Sequence, residues 1–509
     1  MVVTGPRPGS HLVPPGTGPG APGAERLMQR RTLAIAVAGN LVVLIVYCLP
    51  LSILPAISDG VGASSDTQTW LLAAVSLGMA TTLLPAGALG DDYGRRRVFV
   101  AGAALLAAAS VVCALASTPG VFLAGALAQG VGSAAVMACS LGLIVHAYPE
   151  GPARRGATGI WGASLASGIG IGPWMAAGLE PVAGWEASFV LAAGFAAVLA
   201  LVAQRLLVES RAPDHKPIDP AGMVLLGSAV GTLIGGMVRG RSGWSDPMTV
   251  VLLVTAAVLA ALFVLVESRR RAPMLPLSLF RSRRFLAATL ASSAMGLGMI
   301  TVLSYVSTAV QRGLGADALA GAALVTCWSV ASVSTSLAVS RFLPGQNGRH
   351  QLALGQLVIG IGLLSMWDLH TGSPTSTLAA GFVLSGIGAG IANAAIGGEA
   401  VAAVPAGRGS LASGANITAR YIGSSIGVAI FATIVADHGT DAAGVTAGWN
   451  AAILVTAGFS LLGALAVLAC RPAPEPAPPP GSEPQIPALE GKHAFAEAPG
   501  VDDTLPRKR

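Results

Sequence analysis

The sequence predicts an all-α integral membrane protein whose chain crosses a bilayer fourteen times, and three observations predict it. The 509 residues are 53% hydrophobic and only 11% charged, with a mean hydropathy of +0.69, whereas soluble domains carry about 25% charge. Lipid is therefore the expected solvent. Apolar runs of about 20 residues, the length a helix needs to cross roughly 30 Å of hydrocarbon, recur along nearly the whole chain. Finally, lysine and arginine fall almost entirely in every second break between those runs, as expected of loops kept on the cytoplasmic side.

Taken in order, residues 1–32 are rich in proline and glycine and lack the apolar stretch of a cleaved signal peptide. They read as a disordered cytoplasmic tail. Six runs follow near Leu33–Ile57, Trp70–Gly90, Val98–Ala116, Val121–Ala147, Ala157–Gly178 and Ser188–Leu207, forming an N-terminal half over 33–208. Two more, Ala221–Val238 and Thr249–Val266, lie in a linker over 209–268. The C-terminal half, 269–470, holds Phe285–Thr308, Gly321–Val339, Leu352–Leu369, Thr377–Val404, Leu411–Ala436 and Trp449–Cys470. A Pro-rich second tail, 471–509, completes a 6+2+6 arrangement with two pseudo-symmetric halves.

One set of loops carries Arg26, Arg30, Arg31, Arg95, Arg96, Arg97, Arg154, Arg155, Arg211, Lys216, Arg269, Arg270, Arg271, Arg281, Arg283, Arg284, Arg341, Arg349 and Arg408. The opposite set carries only Arg239, Arg241 and Arg312. This asymmetry requires an even number of spans and places both termini in the cytoplasm. The same scatter of basic residues excludes nucleic acid as the partner implied by the net charge of +6, because no single basic patch forms. All five cysteines fall within or at the ends of apolar runs without a CxxC pair, so free buried thiols are expected, with no structural disulfide, metal or cofactor. GIGIGP and GIGAGIANAAIGG have no preceding strand and no following GK[ST], so they read as close helix packing and not as phosphate loops. Arginine's excess over lysine and the Ala/Gly/Pro richness suggest a bacterial gene.

Two loops are duplicated. GALGDDYGRRR after the second run is echoed by SRFLPGQNGRH after the tenth, and EGPARRGATG after the fourth by PAGRGSLASG after the twelfth. A repeat at an offset of about 250 residues is the mark of a chain built from two like halves, which in transporters rock about a site near the midplane.

The loop Gly87-Ala-Leu-Gly-Asp91-Asp-Tyr-Gly94-Arg95-Arg96 resembles the G-x-L-x-D-R-x-G-R-R loop of the major facilitator superfamily, and the chain resembles its fourteen-span drug:proton antiporter branch from Leu33 to Cys470. The resemblance implies a conformational latch at Gly87, Asp91, Gly94, Arg95 and Arg96. Gly168-x-x-x-Gly172-Pro173 resembles the antiporter motif, with Ala176 and Ala177 in place of a glycine pair. PVAGWEASF keeps Trp185 and Phe189 of a family stretch but has Glu186 and Ala187; Trp185 reads as an interfacial anchor. Leu54-Pro55, Gln129-Gly130, Gly243-Trp244-Ser245, and Ser413-Gly414 through Arg420-x-x-Gly423 add support. The major facilitator fold so implied is that of a secondary active transporter, not an enzyme. It would export small organic molecules by proton antiport and alternating access, as a monomer in the plasma membrane, with the bilayer, protons and substrate as its partners.

Three departures bear on the energy source. Ala126 and Val46 stand where the family usually has a charged residue, and Asp92 stands where arginine is usual. A charge at membrane depth is costly enough to be functional by default, and Glu399 and Arg420 stand out as proton-coupling candidates. A carboxylate alternating between a desolvated site and a pair with Arg420 could bind and release a proton; a static pair is the other reading. Tyr47, Gln129, Tyr305, Gln311, Asn393 and Asn416 are the polar candidates for a central cavity, whose apolar remainder suits an amphipathic or cationic compound better than a sugar or phosphate. The alternatives are an uncoupled permease on the same fold and a membrane-embedded enzyme. The latter needs a polar cluster at one membrane face, whereas His146, His370 and His438 lie in different loops.

Overall fold

In the computed structural model the described residues are 22–471, apart from 214–218, 241–242, 271–272, 343–346, 406 and 440. The outer parts of both expected tails, and Lys216, Arg241 and Arg271, lie outside them. The described residues form fourteen long helices and no strand. In the first half these are α1 (Pro22–Val61), α2 (Ser65–Tyr93), α3 (Arg95–Ala114), α4 (Pro119–Ala147), α5 (Pro152–Ala183) and α6 (Glu186–Leu206). Then come α7 (Pro220–Gly240) and α8 (Pro247–Arg269). The remainder are α9 (Arg283–Gly313), α10 (Ala318–Phe342), α11 (Gly348–Leu364), α12 (Ser376–Ala402), α13 (Gly409–His438) and α14 (Ala442–Ala469).

Twelve of these are long and apolar enough to cross a membrane. The others are α11, with 17 residues, and α5, long but diluted by glycine, serine and proline. Two hydrophobic cores result. Trp161, Phe99, Phe122 and Phe189 centre the first; Trp328, Trp449, Phe382 and Phe431 centre the second. Trp185 belongs to the first core. It is 7% exposed and packs edge-on against Phe122 and Phe189, so it is a packing residue and not the interfacial anchor expected from the sequence.

Lipid offers no hydrophobic drive between helices, so close approach of small residues must hold them together. A Cβ on Gly130 of α4 would stand 2.8 Å from the Gly78 Cα of α2, and one on Gly132 2.6 Å from the Gly102 carbonyl oxygen of α3. The α7–α8 pair packs α7 along α2, where Gly231 meets Thr81, and at its turn Trp244 Nε1 donates to Thr433 Oγ1 of α13 at 2.9 Å. Arg239 donates to Asp246 across that turn at 2.7 Å, holding the Asp246 carboxyl below the usual carboxylate range. All five cysteines are free, four of them buried.

Three helices carry interruptions. Between Pro50 and Pro55, which remove backbone donors, Ile53 of α1 leaves helical geometry (φ −120, ψ 24). Pro173 removes a backbone donor within the continuous α5, and α9 contains two π-helical turns, Gly296–Ile300 and Ala309–Gly313. Such interruptions gather where helices bend or open a site.

Candidate functional site

The two cores meet along α2 against α13 and α5 against α10. At the first contact, a Cβ on Gly87 would strike the Ser410 carbonyl, and one on Gly414 the Leu83 carbonyl. At the second, a Cβ on Gly170 would stand 2.7 Å from Ser329 Cβ, Ser336 Oγ donates to the Gly159 carbonyl at 3.2 Å, and Trp174 Nε1 donates to Thr326 Oγ1 at 2.7 Å.

The α2–α3 loop closes one end of the first contact. Gly94, at φ +123, makes the break between the helices, a conformation L side chains rarely adopt. Asp91 is fully buried and Arg95 is 2% exposed. Arg95 Nε donates to Asp91 Oδ1 at 2.9 Å, and its other nitrogens reach the Gly407 carbonyl and Ser210 Oγ. The Asp91 carboxylate also accepts the amides of Ser410 (3.2 Å) and Leu411 (2.9 Å). Those amides open α13, so Asp91 caps a helix of the opposite half and meets the positive end of its dipole. Asp92 accepts from Arg408 at 2.8 Å, again across the halves. The position that departs from the family's arginine has thus acquired a basic partner. Glu209, after α6, caps α3 through the Arg96 amide (3.1 Å) and lies 3.6 Å from Arg97.

Beyond the latch, a narrow cleft of about 60 Å³ opens between α1 and α5 of one half and α9 and α10 of the other. Tyr47, Ser52, Pro173, Ser304, Ser307 and Gln311 line it among aliphatic residues. A second, smaller space of about 40 Å³, sharing Tyr47, Ile169 and Ile300 with it, runs to Arg420 and Tyr421. The helix irregularities fall along these walls. Gly168 and Gly172 put α5 against α1, where a Cβ would stand 2.6 Å from Leu44 Cβ and 2.8 Å from Cys48 Cβ respectively.

The six cavity candidates separate. Tyr47 and Gln311 line the cleft. Asn393 accepts from Arg420 Nη2 at 3.0 Å beside the second space. Gln129 instead donates to Ser110 of α3 at 2.9 Å, Asn416 accepts from Ser292 of α9, and Tyr305 stacks on Phe431, 4.9 Å between ring centres. These three join helices and do not line the cleft.

Glu399 and Arg420 are not brought together. In antiparallel neighbours, residues equally far from the connection meet. Glu399 is one turn from the end of α12, while Arg420 is three turns into α13. Asn393, about 9 Å deeper on α12 than Glu399 at 1.5 Å per residue, takes the place facing Arg420. Glu399 sits instead in a separate opening of about 440 Å³ with Arg154, Arg155, Arg284 and Gln351, at the end of the α5–α10 contact. Its carboxylate fills the space beside Gly348, where α11 begins. The sequence reading missed Arg408 and Glu209 as latch members. The one available signal was that Asp92 replaces a base while a base stands at 408.

Comparison with known proteins agrees with this architecture. The family profile described as Major Facilitator Superfamily matches residues 35–428. The multidrug resistance protein Stp of Mycobacterium tuberculosis is 30% identical over 80% of this chain and 77% of its own length. The multidrug efflux pump LfrA of Mycolicibacterium smegmatis is 28% identical over 89% and 90%. The tetracenomycin C resistance and export protein of Streptomyces glaucescens is 29% identical over 75% and 72%. Among solved structures, the human organic anion transporter MFSD10 superposes with a TM-score of 0.62 at 19% identity, over 86% of this chain and 99% of that one, a likeness of fold. With the family match covering the latch, the cleft and most of both cores, the chain belongs to the major facilitator superfamily of membrane transporters.

Proposed function

We propose that the protein exports small organic molecules, of the drug, antibiotic or secondary-metabolite kind named for its relatives, across a bacterial plasma membrane by proton antiport and alternating access. The observation that carries this reading is the mostly apolar cleft between the halves, with a charged latch across one end. In this reading all fourteen helices span the membrane as 6+2+6, with α5 and α11 shielded enough by neighbours to cross despite their composition. The latch and both termini face the cytoplasm, and the cleft faces outward. One chain supplies every wall of the cleft, so a monomer suffices. Its test is a compound-susceptibility panel on cells with and without the gene; an identical profile would remove the export reading.

Glu399 is the proposed proton carrier, since it is an acid within a span that opens into a space lined by Arg154, Arg155 and Arg284. Glu399→Gln is expected to abolish efflux driven by a pH gradient while leaving membrane insertion intact. Normal gradient-driven efflux in that variant would exclude Glu399. Arg420 is no longer its partner in this scheme. An uncoupled permease is the second reading, favoured by Ala126 and Val46.

In this reading the glycine-lined contact of α5 on α1 also lets α5 shift during the cycle. Gly168→Leu would wedge these helices apart at a backbone-to-backbone contact. It is expected to cut the initial transport rate at least about tenfold at unchanged membrane abundance; an unchanged rate would separate this contact from the transport cycle.

A further inference from the structure

We infer that Arg420 and the two tyrosines beside it form a recognition site for organic anions, so that the preferred substrates are weak acids with an apolar or aromatic body. The inference rests on the export reading and names its substrate class. It reverses the expectation of a cationic substrate.

Among the described residues, Arg420 is the only charged side chain lining either of the two joined spaces between the halves, and no carboxylate lines them. The nearest embedded acid on α12, Glu399, opens into the other cleft. A guanidinium carries five N–H donors and no acceptor. Arg420 commits one nitrogen to Asn393 at 3.0 Å, while its Nε is buried without a hydrogen-bond partner. A cation held at membrane depth without an acid is expensive to retain, and a carboxylate or phenolate entering the space would meet the unpartnered Nε, with a charge-assisted hydrogen bond to gain there. Asn393, an amide and so uncharged, fixes the guanidinium without neutralising it.

The walls fit the rest of such a ligand. Tyr47 and Tyr421 lie edge to face with ring centres 5.7 Å apart, and both line the space that Arg420 enters. Their rings offer stacking surface. Leu44, Met137 and Leu165 supply aliphatic contact, and Ser424 a hydroxyl. Tyr47 also belongs to the larger cleft, so a molecule anchored by its acid at Arg420 extends its body past Tyr47 towards Ser304. A cationic drug in the same place would face a fixed positive charge with no acid to offset it.

The test is thermal stabilisation of the purified full-length protein in lipid nanodiscs by benzoate, with benzylammonium as the matched cation. Benzoate is expected to raise the apparent Tm saturably by a few degrees, with no rise from benzylammonium. Arg420→Gln should remove the benzoate shift, and Arg420→Lys should retain it with about tenfold weaker half-saturation, since a lysine keeps the charge but not the guanidinium geometry. Should Arg420→Gln fail to fold, the anion-to-cation comparison and Arg420→Lys still decide. No shift with benzoate, an equal shift with benzylammonium, or an undiminished shift in Arg420→Gln would each overturn the site. Stabilisation needs no transport, so these failures are distinct from a failure of export, which the susceptibility panel reads.

Discussion

Replacing Asp91 by asparagine is expected to lower transport at least about tenfold while leaving substrate binding in place. The carboxylate is fully buried and accepts from Arg95 and from two amides that open α13. An asparagine fills the same volume but removes the charge that faces Arg95, itself 2% exposed. Leaving a buried cation without its acid costs about 3–5 kcal/mol where nothing else relaxes, and the Gly407 carbonyl and Ser210 recover part of that. About 1.4 kcal/mol is a tenfold change in an equilibrium, so even a fraction of the penalty moves the balance away from the latched state. The binding groups lie beyond the latch and keep their positions. A built-in reporter separates this account from a general loss of folding. Cys139 is fully buried and lies directly behind Gly90 of the latch helix. With the other four cysteines replaced, Cys139 should react faster with a maleimide in Asp91→Asn than in the parent. Unaltered transport and reactivity would reduce the loop to a topology signal.

The second large effect is a charge swap. Asp92→Arg restores the residue usual in the family, yet here it would place two guanidinium groups together, because Arg408 donates to Asp92 at 2.8 Å in a nearly dry contact. Transport is expected to fall at least about tenfold. Adding Arg408→Asp should recover a substantial part of it, since the pair is rebuilt with its polarity reversed. Reciprocal rescue is the signature of direct coupling between neighbours. Additive loss in the double variant would show that the two positions act separately.

The helices were legible because a bilayer fixes both the length and the polarity of what crosses it. The latch was partly legible: Asp91, Gly94 and Arg95 stand at motif positions. Arg408 was counted only as a topology charge, since its partner lies 316 residues away in sequence, a distance no local pattern spans. The same limit explains the Glu399 and Arg420 pairing. Hydropathy locates each helix but does not give its rotation or its level against the next, and the level is what sets Asn393 and not Glu399 opposite Arg420. Gln129, Asn416 and Tyr305 show the rotational half of the problem. In helices that are apolar all round, one polar residue does not declare which neighbour it faces. Gln129 turned to Ser110, Asn416 to Ser292 and Tyr305 to Phe431. Trp185 satisfied an interfacial pattern by position, yet its ring packs into an aromatic cluster beside Phe122 and Phe189.

A latch and a cleft between two halves are the parts that uphill export needs. The most direct measurement is accumulation of a compound selected by the susceptibility panel in everted membrane vesicles carrying the protein, with an imposed pH gradient, acid inside. The account predicts internal substrate rising above the external concentration and falling back when the gradient is collapsed. Equilibration to the external concentration alone, indifferent to the gradient, would contradict it and leave a permease on the same fold.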